Sequence, residues 1–161
     1  QDPRRVKLAN TLLATMRGIP QVFYGDEYAM KSADRRLGHS TLRMPLPLGE
    51  AVTEEMQDMF DYQSRLFQWR KGEPVIHTGR TMHFMSRDNT YAFFRYNDSE
   101  AVFVFANASE ENRTIPTTNY AEILSKYNAV GQDVITGKTY DLSRQDIVIP
   151  ALTSIVVKLS K

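Results

Sequence analysis

The chain has 161 residues, 42% of them hydrophobic and 24% charged, with 20 basic against 19 acidic side chains and no cysteine. This composition is typical of a globular protein and is long enough to bury a core, but it excludes a disulfide scaffold and thiolate metal sites. The balanced charge gives no basis for binding nucleic acid, and no apolar run approaches the roughly 18 residues of a membrane span. The sequence starts with Gln1 and carries no leader, so we expect an internal part of a longer protein.

A helix is predicted over residues 3–17. Asp2 suits its N-cap, Pro3 suits the first helical position, and Gly18 suits the C-terminal stop. Its apolar residues recur at helical spacing: Val6, Ala9, Leu13 and Met16. Residues 19–24 then form an almost continuous apolar run between two glycines, which predicts a strand covered on both faces, as in a parallel α/β sheet. A helix and one such strand are half of a repeating α/β unit and cannot close a core alone.

A long loop and a second helix follow. Residues 26–51 show no hydrophobic period and contain two prolines and two glycines, which predicts a loop of the length usually found at functional sites or in disordered segments. The second helix is predicted from Thr53, whose hydroxyl can cap it, to Arg70. Gly72 and Pro74 then prevent its continuation.

From about residue 79 the pattern changes to short β-rich segments separated by turns. These segments are residues 81–85, 91–96, 101–105, 133–136, 139–142, 146–149 and 154–159. Gly137-Lys138 predicts a hairpin turn, and residues 119–127 suit a short helix between strands. Strands spaced by about ten residues predict an antiparallel sandwich, so the fold class of the whole chain is α+β.

The adjacent carboxylates Asp26 and Glu27 follow the predicted buried strand, where α/β enzymes place their sites. One interpretation is an enzyme that uses both of them. However, neighbouring strand residues point to opposite faces, whereas the carboxylates of a glycosidase flank one bond at about 5–9 Å. We therefore favour a structural role in which the carboxylate bonds the backbone of the loop.

The histidines form no recognisable metal or nucleophile motif. His77 and His83 fit surface or strand positions, whereas His39 lies in the long loop, four residues before Arg43. There is no H-E-x-x-H and no G-x-S-x-G. Among the three, His39 is the candidate for ligand contact.

Closely spaced aromatic residues suggest a different function, because sugar-binding modules stack pyranose rings on exposed aromatic side chains. Strand alternation puts Tyr91 and Phe93 on one face, and Phe94 and Tyr96 on the other. At least one face must be core, so core packing is the favoured interpretation. A non-catalytic sugar-binding or structural β-sandwich module is the alternative function.

Residues 18–27 read GIPQVFYGDE and resemble the G-x-P-x-x-x-Y-G-x-E segment of the α-amylase family of glycoside hydrolases. In that family the segment forms strand eight of a catalytic (β/α)8 TIM barrel. Residues 67–76 resemble the family's L-x-x-L-R-x-x-x-P-V/A-L exit into its C-terminal β-sandwich. The resemblance implies that residues 1–76 are the C-terminal end of the barrel (helix 7, strand 8, loop and helix 8) and that residues 77–161 are the sandwich domain.

Residues 38–43 are most similar to the neopullulanase and cyclomaltodextrinase branch, which carries G-[DH]-x-x-x-R in this loop. The resemblance implies that His39 and Arg43 contact substrate. It also implies structural roles at the barrel rim for Gly18, Pro20, Tyr24, Gly25 and Glu27. The segment 46–48, Leu-Pro-Leu, departs from the family's usual continuation.

The function that the resemblance implies is part of a retaining α-glucan hydrolase acting on starch, pullulan or cyclodextrin, with α-glucan oligosaccharides or polysaccharides as ligands. The catalytic Asp, Glu and Asp come from barrel strands four, five and seven in the family, and we find no counterpart here. We therefore assign no catalytic residue, metal or cofactor to this chain and predict that it is inactive alone.

Calcium in the full enzyme is expected in upstream loops. We expect no membrane or nucleic-acid partner, but the exposed barrel faces favour self-association or packing of the helices on the β-domain. The sequence does not indicate a compartment.

Overall fold

The computed structural model describes residues 2–31, 36, 41, 43–143 and 146–161. The helices are α1 Pro3–Thr15, α2 Glu54–Lys71, α3 Pro74–Thr78 and α4 Ala121–Leu124. The strands are β1 Arg80–His83, β2 Thr90–Tyr96, β3 Glu100–Asn107, β4 Arg113–Ile115, β5 Val130–Asp133, β6 Thr139–Asp141, β7 Ile147–Ile149 and β8 Thr153–Ser160. Short 3-10 turns lie at Asp26–Tyr28, Gly49–Ala51 and Thr117–Tyr120.

The two long helices begin at the residues that the sequence marks as caps. The Asp2 carboxylate accepts a hydrogen bond from the Arg4 backbone N–H at 2.9 Å, and the Thr53 hydroxyl accepts one from the Met56 N–H at 3.2 Å. Helix α1 ends two residues before the predicted end because the backbone of Met16 is already extended. The predicted existence and starting points of both helices are confirmed.

The strands form an antiparallel sandwich, as predicted. Six of them make one sheet in the order β1-β2-β3-β8-β5-β6, and β4 pairs with β7 in a second, two-stranded sheet. Every paired neighbour is antiparallel. Gly137, with φ of 76°, occupies the left-handed region in the turn between β5 and β6.

Within the β-domain, one predicted strand is displaced along the chain, and one observed strand was not predicted. The strand predicted over 133–136 is β5, which ends at Asp133. Residues beyond it turn, because the Asp133 carboxylate accepts hydrogen bonds from the backbone N–H and hydroxyl of Thr136 at 3.0 and 2.6 Å. Strand β4 has only three residues, too few for an alternating pattern to be recognised.

Both faces of the central strands are buried, each in its own core. On one face Phe94, Phe103 and Val157 pack against the second sheet and the segment around α4. On the other face the helices cover the sheet, in a core made of Ala14, Leu66, Val75, Ile76, Phe93, Val102, Val104 and Val156. Core packing of the β2 aromatics is therefore confirmed, and it applies to both faces of that strand.

Three hydroxyl groups join the helices to the sheet. Thr11 of α1 lies 2.6 Å from the Tyr62 hydroxyl of α2 and 2.8 Å from the Ser154 hydroxyl of β8. Burial raises the pKa of the Tyr62 phenol. The helices thus rest on the β-domain, which is one of the two arrangements expected from the sequence.

Residues 19–24, predicted as a strand, do not form one in this structure. No described residue supplies these residues with a pairing partner, and their side chains are largely exposed, with Ile19 97% accessible. A strand needs a neighbour whose N–H and C=O groups complete its ladder. Without one the segment is irregular. The strand prediction is wrong here because the segment lacks a pairing partner, not because it lacks apolar residues.

Tyr62→Phe is expected to lower the free energy of unfolding by about 1 kcal/mol, because Thr11 and Ser154 lose a buried hydrogen-bonding partner. Tyr24→Phe, at a half-exposed ring, is the control and should change it by less than about 0.5 kcal/mol. Because the folded pKa of Tyr62 is raised above 10.0, its contribution is present below that pH and is lost as the pH rises through the folded pKa. Urea unfolding followed by circular dichroism at neutral and alkaline pH measures both effects, and equal curves for the two variants would contradict this role.

Candidate functional site

Arg70, in the last turn of α2, holds the end of α1 and the start of the GIPQVFYGDE segment, residues 18–27. Its guanidinium donates hydrogen bonds to the carbonyls of Ala14, Met16 and Gly18 at 2.6, 3.1 and 2.6 Å. These carbonyls lie at or just beyond a helix C-terminus, where unpaired carbonyl groups favour a cation. Arg70 is buried, and desolvation lowers its pKa. Arg70 lies within the predicted exit motif at residues 67–76, but no local pattern in the sequence marks it as the residue that positions the segment.

Gly25 forms the sharp turn at the end of the segment. Its φ is 92°, and a Cβ at this position would lie 2.8 Å from the Met30 sulfur, so both backbone conformation and space favour glycine. Its carbonyl accepts hydrogen bonds from the N–H groups of Tyr28 and Met30 at 3.1 and 3.0 Å. Gly18, with φ of 110°, makes the corresponding turn at the beginning.

The two carboxylates after the turn are both engaged by the backbone of their own loop. Glu27 accepts a hydrogen bond from the Gly25 N–H at 2.6 Å, and Asp26 accepts one from the Phe23 N–H at 3.2 Å. These local bonds shape the loop.

Helix α2 supports this loop through an aromatic contact. The Tyr28 ring stacks on Phe60 with centroids 5.6 Å apart and an interplanar angle of 18°. Tyr24 lies on the opposite, more exposed side, with its ring 4.8 Å from that of Phe23, and Pro20 is half-buried. The loop is therefore fixed at Gly18 by Arg70 and at Tyr28 by Phe60.

The predicted substrate contacts lie in the following loop. Arg43 is exposed, and His39 is outside the described residues. Next to Arg43, Thr41 and Met44 line a small cavity of about 100 Å³ together with Phe23 and Gly25. This volume is below the roughly 300 Å³ of the smallest typical ligand pockets, so this cavity is too small to enclose a glucan by itself.

Large apolar side chains are exposed throughout this part of the chain. Ile19, Leu48 and Phe23 are 97%, 77% and 54% accessible. We call the full set the 16–60 apolar set: Met16, Ile19, Val22, Phe23, Tyr24, Met44, Leu46, Leu48 and Phe60. Exposed apolar side chains in such number mark surfaces that pack against other protein.

Other kinds of site find no support in the part of the chain that the structure describes. Within these residues, no group of three or more His, Cys, Asp or Glu side chains is placed to hold a metal ion. None of the helices among them is both long and apolar enough for a membrane span.

Comparison with known proteins shows what the β-domain is similar to. Residues 81–158 match the family model of the cyclomaltodextrinase C-terminal domain. Strands β1 to β8 of the sandwich fall almost entirely within this match.

Curated relatives are α-glucan enzymes much longer than this chain. A 4-alpha-glucanotransferase of Thermotoga maritima is 26% identical over 133 residues, which cover 66% of this chain and 30% of the relative. An amylopullulanase of Thermoanaerobacter thermohydrosulfuricus is 26% identical over an alignment of 161 residues, covering 91% of this chain and 10% of the relative. The chain thus spans less than a third of the length of these two relatives.

Solved α-amylase-family structures show the same fold. The α-amylase from Geobacillus thermoleovorans, crystallised with acarbose, superposes with a TM-score of 0.72 at 20% identity. The superposition covers 100% of this chain and 34% of the α-amylase chain. AmyP in complex with maltose gives a TM-score of 0.75 at 16% identity, over 98% of this chain and 34% of its own. Because the coverage is almost complete, the likeness includes the helices as well as the sandwich.

Arg70→Met is expected to lower the free energy of unfolding by about 2–4 kcal/mol, because three carbonyls lose a charged donor at a buried site. Lys71→Met changes the neighbouring cation, whose exposed ammonium only contacts Gln68, and should have an effect within about 0.5 kcal/mol. Chemical denaturation measures both. Equal stability of the two variants would show that Arg70 does not hold the segment in place.

Proposed function

We propose that this chain is the C-terminal part of an enzyme that hydrolyses or transfers α-glucans, and that residues 2–76 complete its (β/α)8 barrel. The observation that carries the proposal is the 16–60 apolar set. Its members lie on and beside a segment that resembles the family's strand eight, and each of them keeps at least 37% of its surface accessible. The names of the relatives support α-glucans as the substrate class.

The geometry of residues 18–25 supports the barrel assignment. Arg70 fixes the start of the segment and the left-handed Gly25 fixes its end, so its six intervening residues run between two anchored points. A neighbouring parallel strand would supply the missing ladder bonds and cover side chains such as Ile19 and Val22. We therefore assign the unpaired segment to strand eight of a barrel that other parts of the enzyme complete.

The chemistry that we propose for the enzyme is that of a retaining glycosidase or transglycosylase. Such catalysis uses a nucleophilic carboxylate and an acid/base carboxylate about 5–5.5 Å apart on the two sides of the glycosidic bond. Asp26 and Glu27 are bound to their own loop, which supports placing the catalytic pair on other barrel strands. Calcium, where the enzyme requires it, is assigned to loops outside the described residues.

Substrate contact is the role that we propose for the loop after the barrel strand. Arg43 is exposed and adjoins Met44, which lines the small cavity, and its N–H groups can donate to sugar hydroxyls. His39 is proposed as its companion on the basis of the motif. The match to a cyclomaltodextrinase C-terminal domain and the complexes of neighbours with maltose and acarbose support a neopullulanase-like or cyclomaltodextrinase-like specificity.

Residues 1–161 alone are expected to release no reducing sugar from maltoheptaose, cyclodextrin or pullulan, whereas the full polypeptide that contains them should do so or should transfer maltosyl units. Within the full polypeptide, Arg43→Gln should raise KM several-fold, and Arg80→Gln, at an exposed arginine of β1, is the matched control. Turnover by the chain alone would contradict the assignment of the catalytic residues. An inactive full polypeptide would contradict the proposed function.

Purified residues 1–161 are expected to self-associate through the 16–60 apolar set, because each large apolar side chain contributes about 1.5–3 kcal/mol when it leaves water. The double variant Ile19→Ser, Leu48→Ser should shift the monomer–oligomer equilibrium toward monomer by at least about tenfold in concentration. Val148→Ser, at an apolar residue of β7 that is 56% exposed, is the control and should leave it unchanged. Multi-angle light scattering measures the mass, and a wild-type chain that stays monomeric would contradict this expectation.

A further inference from the structure

Arg17 lies in the turn between α1 and the segment that we propose as strand eight, and its side chain is exposed. Arg70 donates hydrogen bonds to the carbonyls of the residues on both sides of it, Met16 and Gly18, at 3.1 and 2.6 Å. The buried Arg70 guanidinium is therefore fixed against the stretch of backbone that carries Arg17.

Arg95 of β2 brings a third guanidinium to this region. It donates to the Ile76 carbonyl at 2.8 Å, and the next residue of α3, His77, has its Nε2 atom 2.8 Å from the Arg70 carbonyl. Desolvation lowers the pKa of Arg95, and repulsion from Arg17 and Arg70 lowers this pKa further. We call Arg17, Arg70 and Arg95 the arginine cluster.

The structure pairs no carboxylate of the described residues with the arginine cluster. Arg70 bonds to carbonyls, and Arg95 bonds to one carbonyl and to the Thr81 hydroxyl. Glu73, the acidic residue nearest to Arg70 along the chain, instead lies 2.6 Å from the Lys158 ammonium. Arginine is rarely buried without an opposite charge, so the cluster lacks the counter-charge that such burial favours.

The surface on both sides of Arg17 is apolar. Met16 is 37% exposed and Ile19 is 97% exposed. Under the proposed function another part of the barrel covers these two side chains, and the same surface then removes water from Arg17. A guanidinium that loses its hydration without gaining a counter-charge is unfavourable, and repulsion from the other two arginines grows as water is excluded.

We infer that the part of the enzyme that covers Met16 and Ile19 carries an aspartate or glutamate whose carboxylate pairs with the Arg17 guanidinium. Arg70 and Arg95 are only 5% and 2% exposed, so they favour an anion through their charges and do not touch it. A side-chain carboxylate fits this position better than a dissolved anion, because only a protein surface also covers the two apolar side chains.

This inference rests on the proposed function and deepens it. Apolar packing alone allows strand eight several positions against its neighbour, whereas a charge pair at Arg17 favours one of them. The partner is therefore a barrel element of the same polypeptide that presents one carboxylate among apolar side chains.

The first test identifies the neighbour of position 17 in the full polypeptide by crosslinking Arg17→Lys. A water-soluble carbodiimide activates a carboxylate, the amine at position 17 attacks it, and an amide bond forms as the carbodiimide leaves as a urea. We expect mass spectrometry of the digested protein to show a crosslink from position 17 to an aspartate or glutamate outside residues 1–161. Arg87→Lys, at an exposed position of the turn between β1 and β2, is the control and should not reach that carboxylate.

Three crosslinking results would overturn the inference. They are the absence of a crosslink from position 17, crosslinks only to carboxylates within residues 1–161, and a crosslink to a second copy of the polypeptide. Mixing isotopically labelled and unlabelled protein distinguishes the last of these from a crosslink within one molecule.

The second test compares Arg17→Gln in the full polypeptide and in residues 1–161 alone. The full polypeptide should unfold at least about tenfold faster at elevated temperature, because the partner carboxylate is left unpaired in a desolvated contact. In residues 1–161 the same change removes one of three like charges, so unfolding should not become faster. Arg87→Gln is the matched control and should change either rate by less than about twofold. Circular dichroism measures all of these rates.

Equal effects of Arg17→Gln in the two proteins would show that Arg17 acts within this chain and would overturn the inference. Saturable slowing of the unfolding of the full polypeptide by inorganic phosphate, lost in Arg17→Gln, would assign the cluster to a dissolved anion and would also overturn it.

Neither test depends on catalysis. A crosslink to a carboxylate outside residues 1–161, in a full polypeptide that is inactive on α-glucans, would retain the charge pair and reject the proposed enzyme. An active full polypeptide without this crosslink would reject the charge pair alone.

Discussion

The burial of strands β2, β3 and β8 on both faces is the constraint on which the rest of the structure depends. Phe94 and Phe93 are neighbours in sequence, yet they point into two separate cores, one inside the sandwich and one under the helices. Neither the helices nor the second sheet could be removed without exposing half of the same sheet to water. The position of α2, and hence of Arg70 and the loop that it holds, is set by this shared sheet.

From that position Arg70 binds three carbonyl groups at the end of α1 and just beyond it, and so fixes the start of the segment that we propose as strand eight. The segment is therefore anchored at both ends, while its middle has no pairing partner among the described residues. The carboxylates of Asp26 and Glu27 contribute to this anchoring, because each accepts a hydrogen bond from a backbone N–H group. Both hydrogen bonds stay within the turn that ends the segment.

The sequence predicts the helices well because their signals are local. Asp2 and Thr53 are caps that act within three residues, and the apolar periodicity needs no distant information. The long strands β2, β3 and β8 are also predicted, because β-branched and aromatic residues fill both of their faces. The failures arise where pairing decides the outcome: residues 19–24 have the composition of a strand without a partner, and β4 is too short to show alternation. Asp133 ends β5 through a side-chain hydrogen bond that no periodic pattern reveals. The site is less predictable still, since the three carbonyls bound by Arg70 are more than fifty residues away in sequence.

The hydroxyl contacts among Thr11, Tyr62 and Ser154 show how closely the two parts of the chain are integrated. A protein engineer who grafts this sandwich onto another catalytic scaffold would also have to transplant the inward side of α1 and α2, because those helices supply one of the sandwich's two hydrophobic interiors. The smallest portable unit is thus larger than the β-domain, and it includes both long helices.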